Sequence, residues 1–204
     1  MSVHLNPAAE LAERVLLPSN PHRALALAQH LLAEPRMFNH AHGLWGYTGA
    51  AADGRPMTIQ ATGVGGPSAA IVAEELIGLG ARRLVRVGAG RMLDELDAGE
   101  LVAAERVVSG DGASAALGAN GALRSDPELL ERLVAAGARP RTVVTTDLFY
   151  GDAPTGGAVA DMESGAILQV AARHGVPAAC VLALAPDEEL ALRAGEAGYA
   201  AVSP

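Results

Sequence analysis

Thr62-Gly63-Val64-Gly65-Gly66-Pro67-Ser68 joins an apolar strand to an amphipathic helix through a turn that is almost bare of side chains. The five residues before it, Met57-Thr58-Ile59-Gln60-Ala61, alternate apolar and polar, as a half-buried strand does. After the turn, Pro67 suits a first helical position, where its missing N–H costs nothing. Ile71, Val72, Leu76 and Leu79 then form one apolar stripe opposite Glu74 and Glu75, and Gly80 ends the helix. Leu84-Val85-Arg86-Val87-Gly88 reads as a second buried strand. Strand, helix and strand in this order predict a right-handed parallel unit whose ligand side lies at the strands' carboxyl ends. Gly63 and Gly88 therefore face one crevice, and the bare turn lets a ligand approach the backbone.

Gly63-Val64-Gly65 also starts a dinucleotide fingerprint, but Ser68 stands where the third glycine belongs. The second strand ends in Arg86-Val87-Gly88 and not in an acidic residue that would hold a ribose. The chain has 204 residues, half of them hydrophobic, which is enough to bury a full core as a single domain spanning 1–204. Aromatics make up only 3% and Gly numbers 24, so the core must use Ala, Val and Leu with close helix-to-sheet contacts. A formal net charge of -8 argues against a nucleic-acid surface, whose phosphates are met by Lys and Arg. It leaves room for a small anion held by local arginines. The one cysteine, Cys180, sits in an apolar run and reads as a small core residue. No run is long enough to span a membrane, and the charged start has no leader character, so the expected location is the cytoplasm.

The turn at 63–68 resembles the G-x-G-x-P-S turn of the nucleoside phosphorylase family, the purine nucleoside and uridine phosphorylases, followed at the family's distance by R-V-G. Four further segments resemble that family in the same order. Pro18-Ser19-Asn20-Pro21-His22-Arg23 is similar to its G-D-P-x-R turn, with Ser19 and Asn20 replacing glycine and aspartate. The segment 37–49 is similar to a hairpin with N-x-x-R-G-x-x-G-x-T-G, with His42 in the arginine's place. Asp147-Leu148-Phe149-Tyr150 is similar to S-D-L-F-Y, and Asp161-Met162-Glu163 to E-M-E. Ala185-Pro186-Asp187 falls where purine members read V-S-D, and His4 falls where they carry a histidine that crosses to a neighbouring subunit.

The resemblance implies a role for each residue, and the residues by themselves allow a plainer one. Arg23 and Arg86 would grip phosphate with the backbone N–H of Ala89, which lacks the family's hydroxyl, while Arg23 alone reads as a first-turn surface arginine. His42 would reach a neighbour's phosphate site, or be a structural histidine. With His40 it suggests a metal pair, but no third ligand is in view. Glu163 would hold the sugar hydroxyls, Met162 pack under the ribose and His4 serve a neighbour's ribose; Asp161 and Glu163 equally suit a helix cap. Phe149 would stack on the base, or belong with Tyr150 to the core. Asp187 would protonate the departing purine, or cap the last helix. Gly90-Arg91-Met92-Leu93 departs from the family's small-residue run; Arg91 by itself would compensate for the weakened anion site, or be a surface charge paired with Asp94 or Glu95.

The fold expected is an α/β three-layer sandwich around a central mixed sheet. Short helices are expected at 7–13, 24–33 and 188–194, and a weak strand at 115–117. The activity implied is phosphorolysis of a nucleoside, a purine one by the resemblances at His4 and Asp187 and because the loop 151–158 lacks the glutamine and arginine that read uracil. Inorganic phosphate is the co-substrate, with no metal and no organic cofactor, and the working unit is a homo-oligomer, a dimer at least and by resemblance a hexamer. A hydrolase using water and a non-catalytic nucleoside-binding protein are the alternatives. The chain stops at Pro204, short of the family's longer terminal helix, so part of the pocket wall is expected to be either missing or supplied by another subunit.

Overall fold

Val15 to Leu17, with alternate side chains sent to opposite faces, set the pattern for the whole molecule. In the computed structural model, which describes residues 2–152, 154–185 and 187–204, Arg14–Leu17 forms a central strand, β1. Ala153, in the loop read at 151–158, and Pro186, in Ala185-Pro186-Asp187, lie outside the described residues. After β1 come helix α1 (Pro21–Leu31), the hairpin β2 (Leu32–Asn39) and β3 (Gly46–Ala51), then β4 (Pro56–Gln60), α2 (Gly66–Leu79) and β5 (Arg83–Ala89). The second half runs β6 (Arg91–Met92), β7 (Leu101–Gly110), α3 (Gly112–Ala116), β8 (Ala122–Arg124), α4 (Pro127–Ala135) and β9 (Arg139–Thr146). It closes with β10 (Val159–Asp161), α5 (Ser164–His174), β11 (Ala178–Ala183) and α6 (Glu188–Val202).

One mixed sheet takes the order β2-β3-β4-β1-β5-β11-β7-β9-β10-β6, with β8 paired to β7. β4 and β5 are parallel as expected, but β1 lies between them and pairs with both. Leu16, Val85, Val87 and Val181 face one apolar layer shared with α1, α4 and α6, through Leu27, Leu133 and Ala194. Val15, Leu17, Leu84 and Leu182 face the other, shared with α2 and α5 through Val72, Leu76 and Ile167. This is the three-layer arrangement the pattern implied. The glycine-rich composition has a packing cause: a Cβ at Gly195 would stand 2.2 Å from Leu27 Cδ2, and one at Gly198 3.0 Å from Val87 Cγ2. α6 can approach α1 and the sheet only without those side chains.

Three local expectations fail. Residues 7–13 are not helical; their backbone is claimed by tertiary bonds, Ala8 N–H to the Phe38 carbonyl (2.7 Å) and Ala12 N–H to Thr58 Oγ1 (3.0 Å), and one or two isolated turns are marginal in water. Residues 115 and 116 belong to α3, capped by Asp111, whose side chain accepts from the Ser114 N–H at 2.8 Å. An Ala-Ala-Leu run carries no period, and the cap decides it. α6 runs on to Val202, past the expected end at 194, because Leu190, Ala191, Ala194, Ala197, Gly198 and Ala201 keep one small apolar face on the sheet.

Candidate functional site

The glycine turn is shaped to bring backbone N–H groups to the carboxyl ends of the strands. Gly63 and Gly65 adopt φ of 76° and 86°, a region that suits glycine. Ser68 Oγ donates to the Thr62 carbonyl at 2.6 Å and fills the space a Cβ on Gly63 would need. Thr62 N–H and Gly63 N–H donate to the carbonyls of Pro18 and Ser19, at 2.9 and 3.1 Å, so the two turns are zipped together. In the second turn, Asn20 Oδ1 accepts from the N–H of His22 at 2.8 Å and caps α1, which sets Arg23 in that helix's first turn.

What approaches the bare backbone is a side chain of the same protein. Gly65 N–H donates to Glu163 Oε1 at 2.8 Å, and Glu163 Oε2 accepts from Arg86 Nη2 at 2.5 Å. Arg86 Nε donates to Asp161 Oδ2 at 2.9 Å. Arg86 follows the strand period of Leu84, so it points into the α2–α5 layer, where it is 1% exposed. Gly88 is required beside it, since a Cβ there would stand 2.6 Å from Arg86 Nη2. Burial pulls the Arg86 pKa down, but Glu163 and Asp161 outweigh it and hold it raised, so the guanidinium stays charged. Its third nitrogen, Nη1, is buried with no partner among the described residues.

Asp161 has a larger part than the cap that its sequence position suggested. Besides Arg86 it accepts from the N–H and Oγ of Ser164 at 2.9 and 2.7 Å, thereby capping α5, and from Thr145 Oγ1 at 2.9 Å. Thr145 Oγ1 in turn accepts from the Gly165 N–H at 2.8 Å. Glu163 occupies the N-cap position without capping, which leaves its carboxylate for the crevice. Neither Thr145 nor the Gly65 amide is apparent from sequence; the available signal was an arginine inside an apolar strand, which demands buried acceptors.

A cavity of about 420 Å³ opens here, and Arg86, Ala89, Phe149, Met162 and Glu163 all line it, together with Ser19. Arg23 is half-buried beside this group: its pKa is pulled down first by burial and then by the nearby Arg86 charge. One guanidinium between two carboxylates leaves a net negative charge, and Arg23 offsets it. Phe149 is 56% exposed and meets Tyr150 edge-on, so these are not core aromatics. Leu184 and Ala185 also line the cavity. Asp187, just beyond them, is exposed and caps α6 by accepting from the Leu190 N–H at 2.9 Å.

His4 and His42 lie away from this cavity and against each other, with ring centroids 5.5 Å apart. His42 has a left-handed backbone, φ 55°, in the short 3-10 turn Ala41–Gly43. Glu75 on α2 binds the His4 ring (2.8 Å) and the N–H groups of residues 3–5. Burial pushes the Glu75 pKa up, but those donors bring it down to about 2. Among the described residues no group of three or more His, Cys, Asp or Glu is placed to hold a metal. Cys180 is buried, and burial first of all raises its thiol pKa to about 12, as fits a core residue. No described helix is long and apolar enough to cross a membrane.

The phosphorylase superfamily model matches residues 13–200. The purine nucleoside phosphorylase DeoD-type of Caldanaerobacter subterraneus subsp. tengcongensis is 32% identical over 202 residues, covering 89% of this chain and 86% of that protein. The same enzyme type from Clostridium perfringens is 33% identical over 204 residues, with 90% and 86% covered. Uridine phosphorylase from Vibrio fischeri, solved with 6-hydroxy-1-naphthoic acid, superposes with a TM-score of 0.81 at 25% identity, covering 94% of this chain and 90% of the other. Purine nucleoside phosphorylase from Toxoplasma gondii, solved with immucillin-H, shares the fold with a TM-score of 0.83 at 21% identity, covering 94% and 91%. With its glycine turns, buried arginine and Met-Glu pair in that same fold, the chain belongs to the phosphorylase superfamily.

Proposed function

We propose that the protein catalyses phosphorolysis of a purine nucleoside, giving the free base and ribose 1-phosphate. The observation that carries this is the meeting of Arg86, Glu163, Met162 and Phe149 on one cavity, with Arg23 beside it. Arg23 and the unpartnered Nη1 of Arg86 hold the phosphate, with the Ala89 N–H as a further donor. Glu163 has committed one lone pair on each oxygen, to Gly65 and to Arg86, and keeps the others for two sugar hydroxyls. Met162 packs under the ribose and Phe149 stacks on the base, a contact worth about 1–3 kcal/mol.

A phosphate oxygen forms its bond to C1′ as the C1′–N9 bond breaks and its electron pair leaves with the base. Positive charge grows on the sugar, as in glycoside cleavage generally, and the phosphate beneath it stabilises that charge. The base takes up a proton through Asp187, matching the one that hydrogen phosphate loses. Inorganic phosphate is the co-substrate, and no metal or organic cofactor takes part. His4 and His42, paired with each other and not lining the cavity, serve a neighbouring subunit, so the working unit is a homo-oligomer. The cytoplasm as its location rests on the sequence reading.

One feature favours a second reading, hydrolysis by water: Arg86 is already shared by two carboxylates, and Ala89 brings no hydroxyl. Release of free base from inosine, adenosine and uridine, measured with and without phosphate, decides between them. Purine release that requires phosphate is expected. Release at the same rate without phosphate selects hydrolysis, and no release with retained nucleoside binding rules out both.

A further inference from the structure

The charged side chains lining the cavity are Arg86, Asp161, Glu163 and Arg91, and the first three are bound to one another. Arg91 is left over. It lies on the edge strand β6, where pairing of residue 91 with Ala160 of β10 fixes its backbone beside the cavity. Its guanidinium makes no ion pair with Asp94, Glu95 or any other acid among the described residues. Nη1 donates to the carbonyl of Phe149 at 3.3 Å. Nη2 is buried with no partner among the described residues. The arginine crowding Arg23 is Arg86, whereas Arg91 is tied to the main chain that carries the Phe149 ring. The Phe149 contact therefore ties Arg91 to the part of the cavity wall that carries the Phe149 ring.

We propose that Arg91 reads the edge of the base and selects 6-oxopurines over 6-aminopurines. This rests on the phosphorolysis reading above. A guanidinium offers donors only, in a flat fork. That fork matches N7 and O6 of a 6-oxopurine, both acceptors, and opposes the N6 amino donor of adenine. As the C1′–N9 bond breaks, the electron pair that passes to the base spreads toward N7 and O6, where a fixed cation stabilises it. Phe149 then supplies the face of the base site and Arg91 its edge, at a place where the neighbouring wall residues Leu148, Leu184 and Ala185 are apolar.

The test compares wild type, Arg91→Ala and Arg91→Gln, with circular dichroism as the check on folding. Two readouts are taken: the inosine-to-adenosine ratio of kcat/KM at saturating phosphate, and calorimetric binding of free hypoxanthine and adenine. Arg91→Ala is expected to lower the inosine-to-adenosine ratio by about ten- to hundredfold and to weaken hypoxanthine more than adenine. Arg91→Gln is expected to shift the preference toward adenosine, because an amide both donates and accepts and so fits N6 and N7. If the wild type turns over nucleosides and the ratio stays within twofold in both variants, the assignment of Arg91 is overturned while phosphorolysis stands. A raised KM for phosphate with an unchanged ratio overturns it too, by placing the guanidinium at the anion end. If the wild type turns over neither nucleoside, phosphorolysis fails and hypoxanthine against adenine binding alone decides Arg91: selective loss in Arg91→Ala upholds it, and equal binding refutes it.

Discussion

The cavity at the amino ends of β1, β4 and β5 is larger, at about 690 Å³, than the one of about 420 Å³ at the carboxyl ends of β1 and β5, and both are lined by arginine. In the larger one, every nitrogen of Arg14 is satisfied. Nη1 and Nη2 clasp Asp53 at 2.7 and 2.6 Å, while Nε and Nη2 donate to the carbonyls of Pro56 and Arg55 at 2.9 and 2.8 Å. The hydrogen bonds from Arg14 lead in pulling the Asp53 pKa down to about 2. Arg36, Arg55 and Arg82, also on its wall, are exposed to water. In the smaller one, Arg86 Nη1 and Arg91 Nη2 are buried with no partner among the described residues. An unmade buried donor costs about 1–3 kcal/mol, and a bound ligand recovers it. Cavity volume does not separate the two as candidate sites; buried arginine donors without partners do.

Replacing the corresponding arginines tests that contrast most heavily. Arg86→Met leaves Asp161 and Glu163 facing each other in a buried place, so it is expected to cost about 3–5 kcal/mol of stability and to abolish turnover. Arg14→Met leaves Asp53 free to hydrate and is expected to cost about 1–2 kcal/mol with turnover unchanged. Urea denaturation and initial rates of the two variants measure both. A larger stability loss in Arg14→Met, or its loss of turnover, would erase the distinction between the cavities.

Glu163→Gln asks a finer question, since it keeps the shape and retains the Asp161 partner of Arg86. It is expected to lower kcat/KM for ribonucleosides about 100-fold through lost positioning of the sugar. Steady-state kinetics on inosine, with a thermal melt as control, will measure it. Unchanged kinetics would remove Glu163 from the reacting site and leave it a structural partner of Arg86.

The sequence carried the crevice better than it carried the machinery inside it. The strand at 84–88 and the glycine turn at 62–68 are local patterns, set by period and by turn residues, and the structure places both close to their expected bounds. Arg86, Glu163, Met162 and Phe149 were legible because each sits in a motif with fixed spacing. What was not legible depends on contacts between distant residues. The Gly65 amide is 98 positions from Glu163 and Arg86 is 75 from Asp161, so no local pattern shows that the turn and the arginine are already engaged by carboxylates. Arg91 was ambiguous for the same reason: its acidic neighbours in sequence suggested a surface pair, and only folding brings it to Phe149. Residues 7–13 mark the opposite limit, where a local helical pattern loses to tertiary hydrogen bonds with β2 and β4.

Both arginine-lined cavities are open to an anion, and where it settles separates them. A crystal soaked with inorganic phosphate and a nucleoside analogue answers this directly. We expect phosphate between Arg23 and Arg86 Nη1, beneath C1′ of a sugar whose hydroxyls meet Glu163. Phosphate bound instead among Arg36, Arg55 and Arg82, with the carboxyl-end crevice empty, would contradict it.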